Sequence, residues 1–312
     1  MSITSAIHRI ERTIFADVCI QDKMPTLIML RTFSSLLAKL SLPKLHRLGA
    51  GLGRILFFIS GSSAAMQRSN LLQSNLVPAA NIKTTLKINA AESGKSLLET
   101  LAIWQKSDAE LLSLVKQVHG WQHVTAALEA KQGLIFLTPH MGCFEITSIY
   151  YGSKHPITIL FRPPKLKWLQ KLMDVGRARP GVTLAEANTQ GVRKLMQALK
   201  RGEAIGILPD QIPAEGEGEW ADFFGKPAYT MTLASKLAVK TGATVIMAFG
   251  ERLADGQGYA IHLSRVESIA SADLLNQAIE QQIAQKPEQY LWQYNRYKVR
   301  RHAMQKSDAP TH

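Results

Sequence analysis

The chain has 312 residues, 46% hydrophobic and 20% charged, a balance that excludes wholesale disorder and accommodates one large α/β domain, or a small helical segment joined to one. Lys and Arg number 37 against 24 Asp and Glu, a formal charge of +13. Such an excess points to an anionic partner (nucleic acid, an acidic protein or an anionic lipid surface) or to a generally basic soluble surface. The two cysteines, Cys19 and Cys143, are far apart and form no CxxC zinc pattern or disulfide framework, which fits a reducing compartment.

In chain order, the first 24 residues are mixed and charged without a continuous apolar run, so no secretory signal is expected there. "TLIMLRTFSSLLAKLSLP" (26–43) and "GAGLGRILFFISG" (49–61) follow. A spanning helix needs about 20 mostly apolar residues. The first stretch has 18, interrupted by Arg31 and Lys39, and the second is shorter. Both read as amphipathic helices, lying in a bilayer interface with their basic residues toward headgroups or packed on a soluble core. Residues 1–62 are therefore expected to form an amphipathic, membrane-associated helical region.

Residues 63–130 read as helical, with Leu97, Leu98, Leu101 and Trp104 on one apolar face. From about 133, short apolar runs alternate with helical spacing. Strands are predicted at 133–139, 157–162, 204–210, 244–250 and 258–266, and helices at 165–179, 189–202, 231–242 and 271–285. Such alternation predicts an α/β fold with a largely parallel central sheet flanked by helices and preceded by the N-terminal helical region. The main domain, with a helical lead-in, is expected to span 63–300, with a tail at 301–312.

Ligands of open α/β sheets sit beyond the carboxyl ends of the strands. His140, Arg162 and Asp210 each fall where an apolar run stops. Glu145 follows His140 by five positions, about 140° around an ideal helix, so the two share no helix face. They can meet if the histidine belongs to the turn before the helix, which Pro139 and Gly142 favour. Glu145 would then hydrogen-bond one imidazole nitrogen and leave the other free to accept a proton. By itself the pair also fits a structural histidine beside a solvated glutamate. The spacing is not that of a zinc site.

The blocks "TPHMGCFE", "FRPPK", "VGRAR", "GILPDQ", "FFGKPAYT" and "PEQYLW" occur in this order. They closely resemble the late acyltransferases of bacterial lipid A biosynthesis, of the lauroyl and myristoyl type, within the lysophospholipid acyltransferase superfamily. The resemblance runs from the first apolar helix to "YKVR" at 297–300. Its His-x4-Asp/Glu motif is filled by His140 and Glu145, its functional arginine by Arg177 and its aspartate by Asp210. Arg162 matches another recurring basic position. Where many relatives carry an aromatic residue and Asn between the catalytic pair, this chain has Cys143 in place of the Asn.

The resemblance implies transfer of a fatty acyl chain from an acyl carrier protein thioester to a hydroxyl of a phosphorylated, sugar-based lipid A precursor. His140 is the expected general base, Glu145 its support, and Arg177, Asp210 and Arg162 the substrate-binding residues. Arg177 is expected to hold phosphate, and Asp210 to orient Arg177 or bind acceptor hydroxyls. Backbone amides around Gly142 are candidate oxyanion donors, and Cys143 is expected to pack rather than attack. No metal or organic cofactor is implied. The partners implied are acyl carrier protein, an anionic glycolipid and a membrane surface rather than nucleic acid, and the place of work is the cytosolic face of the inner membrane. Acylation of a lysophospholipid or another glycolipid is the competing activity. A non-catalytic basic membrane- or nucleic-acid-binding protein is the alternative of another class.

Overall fold

The computed structural model describes residues 24–164 and 167–298. The first 23 residues, with Cys19, and the expected tail at 301–312 lie outside the described residues.

Four helices open the described chain: α1 (Met24–Ala38), α2 (Leu42–Ile59), α3 (Gly61–Ser74) and α4 (Ile82–Ile103). α2 starts with Pro43 in its first turn, where a missing amide proton costs nothing. It crosses α4 at very short range because Gly49 and Gly53 face Gly94. A Cβ on any of the three would collide with the other helix's backbone. α2 and α3 are bent by 99° at their junction, and among the described residues no single helix is long and apolar enough to cross a membrane. Leu45 and Leu98 bury into the core, while Met29, Phe33 and Leu36 on α1 and Leu48, Ile55, Phe58 and Ile59 on α2 stay exposed.

Next come α5 (Asp108–Leu114), opened by a Ser107–Glu110 capping box, β1 (Val115–His119) and α6 (Trp121–Glu129). The alternating part holds β2 (Leu134–Leu137), α7 (Phe144–Gly152), β3 (Ile157–Phe161), α8 (Lys167–Arg177), β4 (Val182–Glu186), α9 (Thr189–Lys200) and β5 (Ala204–Ile207). A hairpin of β6 (Gly218–Phe223) and β7 (Lys226–Met231) precedes α10 (Leu233–Thr241), β8 (Thr244–Arg252), β9 (Tyr259–Val266) and α11 (Ala272–Gln285).

The main sheet has seven strands in the order β1-β9-β8-β2-β5-β3-β4. All neighbours are parallel except β8 and β9. β2 and β5 are buried at every position because helices cover both faces. Side chains alternate between two cores: Ile135, Leu137, Ile205 and Ile207 pack with α9, α10 and α11, and Leu134 and Phe136 pack with α7 and the N-terminal helices.

The α/β fold with a mostly parallel sheet is as expected. Three elements differ from the sequence reading. β1 interrupts the stretch expected to be helical, because its alternating "VKQVH" pairs with the β9 edge. β4 was not anticipated and pairs along β3. The segment 213–230, where no strand was predicted, contains most of an ordered hairpin. Its two-residue turn puts Phe224 (φ 50) and Gly225 (φ 69) in the left-handed region, the geometry of a type I′ turn. The amide of Phe224 donates to Glu280 at 2.6 Å, and its ring lies 6.0 Å from that of Trp292, which holds the strained residue in place. Phe223 is a fully buried core residue on the far face of the sheet.

Candidate active site

β2 and β5 are adjacent and parallel, with Leu137 opposite Ile207. His140 and Asp210 each lie three residues beyond that pair, so the register delivers them side by side past the strand ends. After β2 the chain enters α7 on one face of the sheet. After β5 it leaves for the hairpin and α10 on the other. The crevice between two such diverging connections is where α/β sheets bind ligands.

The His140 ring accepts its orientation from Asp210. Nδ1 lies 2.8 Å from Asp210 Oδ1, and the His140 backbone amide donates to Oδ2 at 3.0 Å. Burial by itself would raise the carboxyl pKa of Asp210, but the neighbouring imidazole and the hydrogen bonds from His140 hold it below its ordinary value. An ionised carboxylate on Nδ1 fixes the neutral tautomer with its proton there and its lone pair on Nε2. Nε2 in turn lies 3.2 Å from Gln211 Nε2.

The expected contact between His140 and Glu145 is not formed. Glu145 is the second residue of α7, and both its oxygens are taken by Arg177 from the end of α8, with Nε at 3.0 and 3.1 Å and Nη2 closer still. Glu145, on α7, meets the end of α8, whereas His140 precedes α7 and meets Asp210 past the end of β5. Arg177 also donates Nη1 to Met173 Sδ at 3.4 Å and stacks over Trp104. Its guanidinium therefore braces the Glu145 carboxylate, and Asp210 contacts His140, not Arg177. Arg162 stands apart on the surface, its side chain 55% exposed and 3.8 Å from Glu217.

The amides expected to form an oxyanion cradle are also committed elsewhere. Met141 donates to Pro139 O at 2.7 Å, Gly142 to Gln289 O at 3.0 Å and Cys143 to Gly250 O at 2.7 Å. Gly142 adopts φ 55, and a Cβ there would strike the Gly250 carbonyl. Cys143 is buried, and burial followed by the nearby Glu99 carboxylate pushes its thiol well above the ordinary value, opposite to what a nucleophile needs.

Supports that the sequence reading missed hold this turn from behind. Residues 289–291 run antiparallel to it, with Leu291 donating to His140 O at 3.0 Å and Met141 bridging Tyr290. The strap is gripped by two buried asparagines: Asn89 donates to the carbonyls of Glu288 and Tyr290, and Asn70 to those of Trp292 and Tyr294. Arg252 donates to Gly142 O at 2.6 Å while its other nitrogens meet Glu99 and Glu92. Nothing in local spacing marks these residues, although "PEQYLW" and "LPDQ" contain the strap and Gln211.

Beneath α7, a narrow apolar slot with a volume of about 30 Å³ lies between that helix and the sheet. Phe144, Glu145, Thr138 and Arg177 border it at the histidine end, and the Phe144 ring lies 5.2 Å from that of His140. Tyr151 and Trp121 line it near the end of α7, about 10 Å further along the helix. Gly206, on the slot face of β5, contributes no side chain to fill it. Among the described residues no group of His, Cys, Asp or Glu could hold a metal ion.

A histidine–aspartate pair thus stands beyond the strand ends of a doubly covered α/β sheet, with an apolar slot nearby under α7. Comparison with known proteins names the group. A family model described as bacterial lipid A biosynthesis acyltransferase matches residues 26–299, so the chain belongs to that family and is an O-acyltransferase. It is 26% identical over 277 residues to the lipid A biosynthesis lauroyltransferase of Escherichia coli (strain K12), covering 85% of this chain and 89% of the relative. The palmitoleoyltransferase of the same organism is 24% identical over 265 residues, 79% of this chain and 86% of the relative. A phosphatidylinositol mannoside acyltransferase of Mycobacterium tuberculosis is 23% identical over 238 residues, 73% and 74% of the two chains.

Proposed function

We propose that this protein moves a fatty acyl chain from an acyl carrier protein thioester to a hydroxyl of a lipid A precursor, with His140 as general base. The observation that carries the reading is the His140–Asp210 pair beyond the strand ends, next to Phe144, which lines the apolar slot. His140 Nε2 takes the acceptor's hydroxyl proton as its oxygen attacks the thioester carbonyl. The tetrahedral intermediate collapses with loss of the C–S bond, and the imidazolium returns the proton to the leaving sulfur. Asp210 holds the tautomer and stabilises the imidazolium, the role first expected of Glu145. Glu145, neutralised by Arg177, borders the slot, which has to widen to receive the acyl chain.

The donor is the one the family resemblance implies, and the charge of +13 suits an acidic carrier protein as it does an anionic glycolipid. Contact with a membrane is proposed on the exposed apolar residues of α1 and α2, and the cytosolic face of the inner membrane on where the implied donor and acceptor meet. Phe33 and Leu36, and Leu48, Ile55 and Ile59, recur at helical spacing beside exposed Arg31, Lys39, Lys44, Arg47 and Arg54. Membrane placement is tested by sedimentation with anionic vesicles: a Phe58→Asp, Ile55→Asp double variant should lose most binding, and unchanged binding excludes this face.

The relative that acylates phosphatidylinositol mannoside favours a second reading, the same chemistry on another glycolipid acceptor. Mass analysis of host lipid A with and without the protein decides between them. A missing secondary acyl chain supports the lipid A reading, and unchanged lipid A with activity on another glycolipid overturns it.

A further inference from the structure

Gln211 follows Asp210 directly, and its side-chain amide lies 3.2 Å from His140 Nε2. Because Nδ1–H donates to the Asp210 carboxylate, Nε2 carries the lone pair, so the contact has Gln211 donating its N–H. The lone pair that a general base must present is thus already occupied. The backbone beside Gln211 is fixed on both sides. Asp210 is buried against His140, and the amide of buried Ile212 donates to Tyr294 Oη at 3.0 Å. Rotation of the half-buried Gln211 side chain is therefore the movement that uncovers Nε2.

We propose that Gln211 is a displaceable cap on the catalytic base that admits the acceptor alcohol and suppresses hydrolysis of the donor, an inference resting on the acyl-transfer reading above. A glycolipid acceptor brings binding energy from its remote parts, which can be spent on displacing the amide. Water brings none. The reaction held back is simple. A water proton passes to His140 Nε2, the hydroxide oxygen bonds to the thioester carbonyl carbon, and the C–S bond breaks. The proton then moves from Nε2 to the leaving sulfur, giving a free fatty acid and a thiol.

The test measures free fatty acid and acylated acceptor together, using acyl carrier protein thioesters of several chain lengths, with and without the lipid A precursor. Wild type, Gln211→Ala, Gln211→Met and His140→Ala are compared. The methionine fills nearly the same space but donates nothing, so it separates loss of the donor from loss of packing. Both Gln211 variants should raise the hydrolysis-to-transfer ratio by roughly tenfold, the value of one hydrogen bond. A rise in Gln211→Ala alone would reduce the effect to opened space and overturn the proposal, as would no rise in either. His140→Ala should lose both reactions. If it retains transfer, the underlying reading fails; if it loses both while Gln211→Met partitions like wild type, only the cap fails.

Discussion

One carboxylate of Asp210 holds both the ring and the main chain of His140, with Oδ1 at 2.8 Å from Nδ1 and Oδ2 accepting the backbone amide at 3.0 Å. Asp210→Asn keeps the shape but turns an N–H or a neutral oxygen toward Nδ1. The tautomer is no longer fixed, and the imidazolium loses its counter-charge. The kcat/KM for acyl transfer should fall by roughly a thousand- to ten-thousand-fold. Glu145→Gln should cost activity less than Asp210→Asn in the same assay. The reverse order would restore Glu145 as the histidine's partner.

Glu145 and Arg177 form a pair shielded from solvent, with side chains 7% and 16% exposed. Removing one partner leaves the other unpaired, so Arg177→Ala should destabilise the fold by about 3–5 kcal/mol. A Glu145→Gln, Arg177→Met double variant should recover much of that loss in chemical denaturation. If Arg177 instead held substrate phosphate, Arg177→Ala would leave stability near wild type and raise KM for the acceptor.

Gly206 faces the slot, and a Cβ there would meet Ile159 and Ile157 side chains only at ordinary contact, 3.5 Å or more. Gly206→Val should therefore fold while narrowing the slot. Preference should move toward shorter acyl chains, by roughly tenfold in relative kcat/KM between the longest and shortest accepted donors. An unchanged chain-length profile would place the acyl chain elsewhere.

Glu99 lies in a buried network with Arg252, His46 and Tyr259. Burial opposes its charge, but the Arg252 guanidinium and then His46 outweigh it and bring its pKa from 4.5 down to about 2. A carboxylate depressed in the folded state stabilises fully above its unfolded value, and that contribution fades as pH falls from 4.5 toward 2. Denaturation free energy should drop across this window in wild type. Glu99→Gln should be less stable at neutral pH and show a flatter acid slope. Because Arg252 also holds Gly142 O, the variant should lose activity before it unfolds.

Much of the architecture was legible. The apolar runs that became β2, β3, β5, β8 and β9 are short and bounded, and burial on both faces demands that composition. β1 and β4 escaped notice because edge strands need only partial burial and resemble polar helix or loop. The hairpin hid because its turn uses Phe224 rather than Asn or Asp in the left-handed position, tolerated only through packing and a bond from distant Glu280.

From the chain alone came the strand-end histidine, two acidic residues, an arginine and the ordered blocks of an acyltransferase family. Which acid serves the histidine was decided by tertiary structure. The family's His-x4-Asp/Glu motif pointed to Glu145, but β2 and β5 align Leu137 with Ile207 and set Asp210 against the ring, while α8 brings Arg177 to Glu145. Local spacing limits which groups can meet within one segment. Strand register and helix packing, set by burial of the whole sheet, choose among groups seventy residues apart.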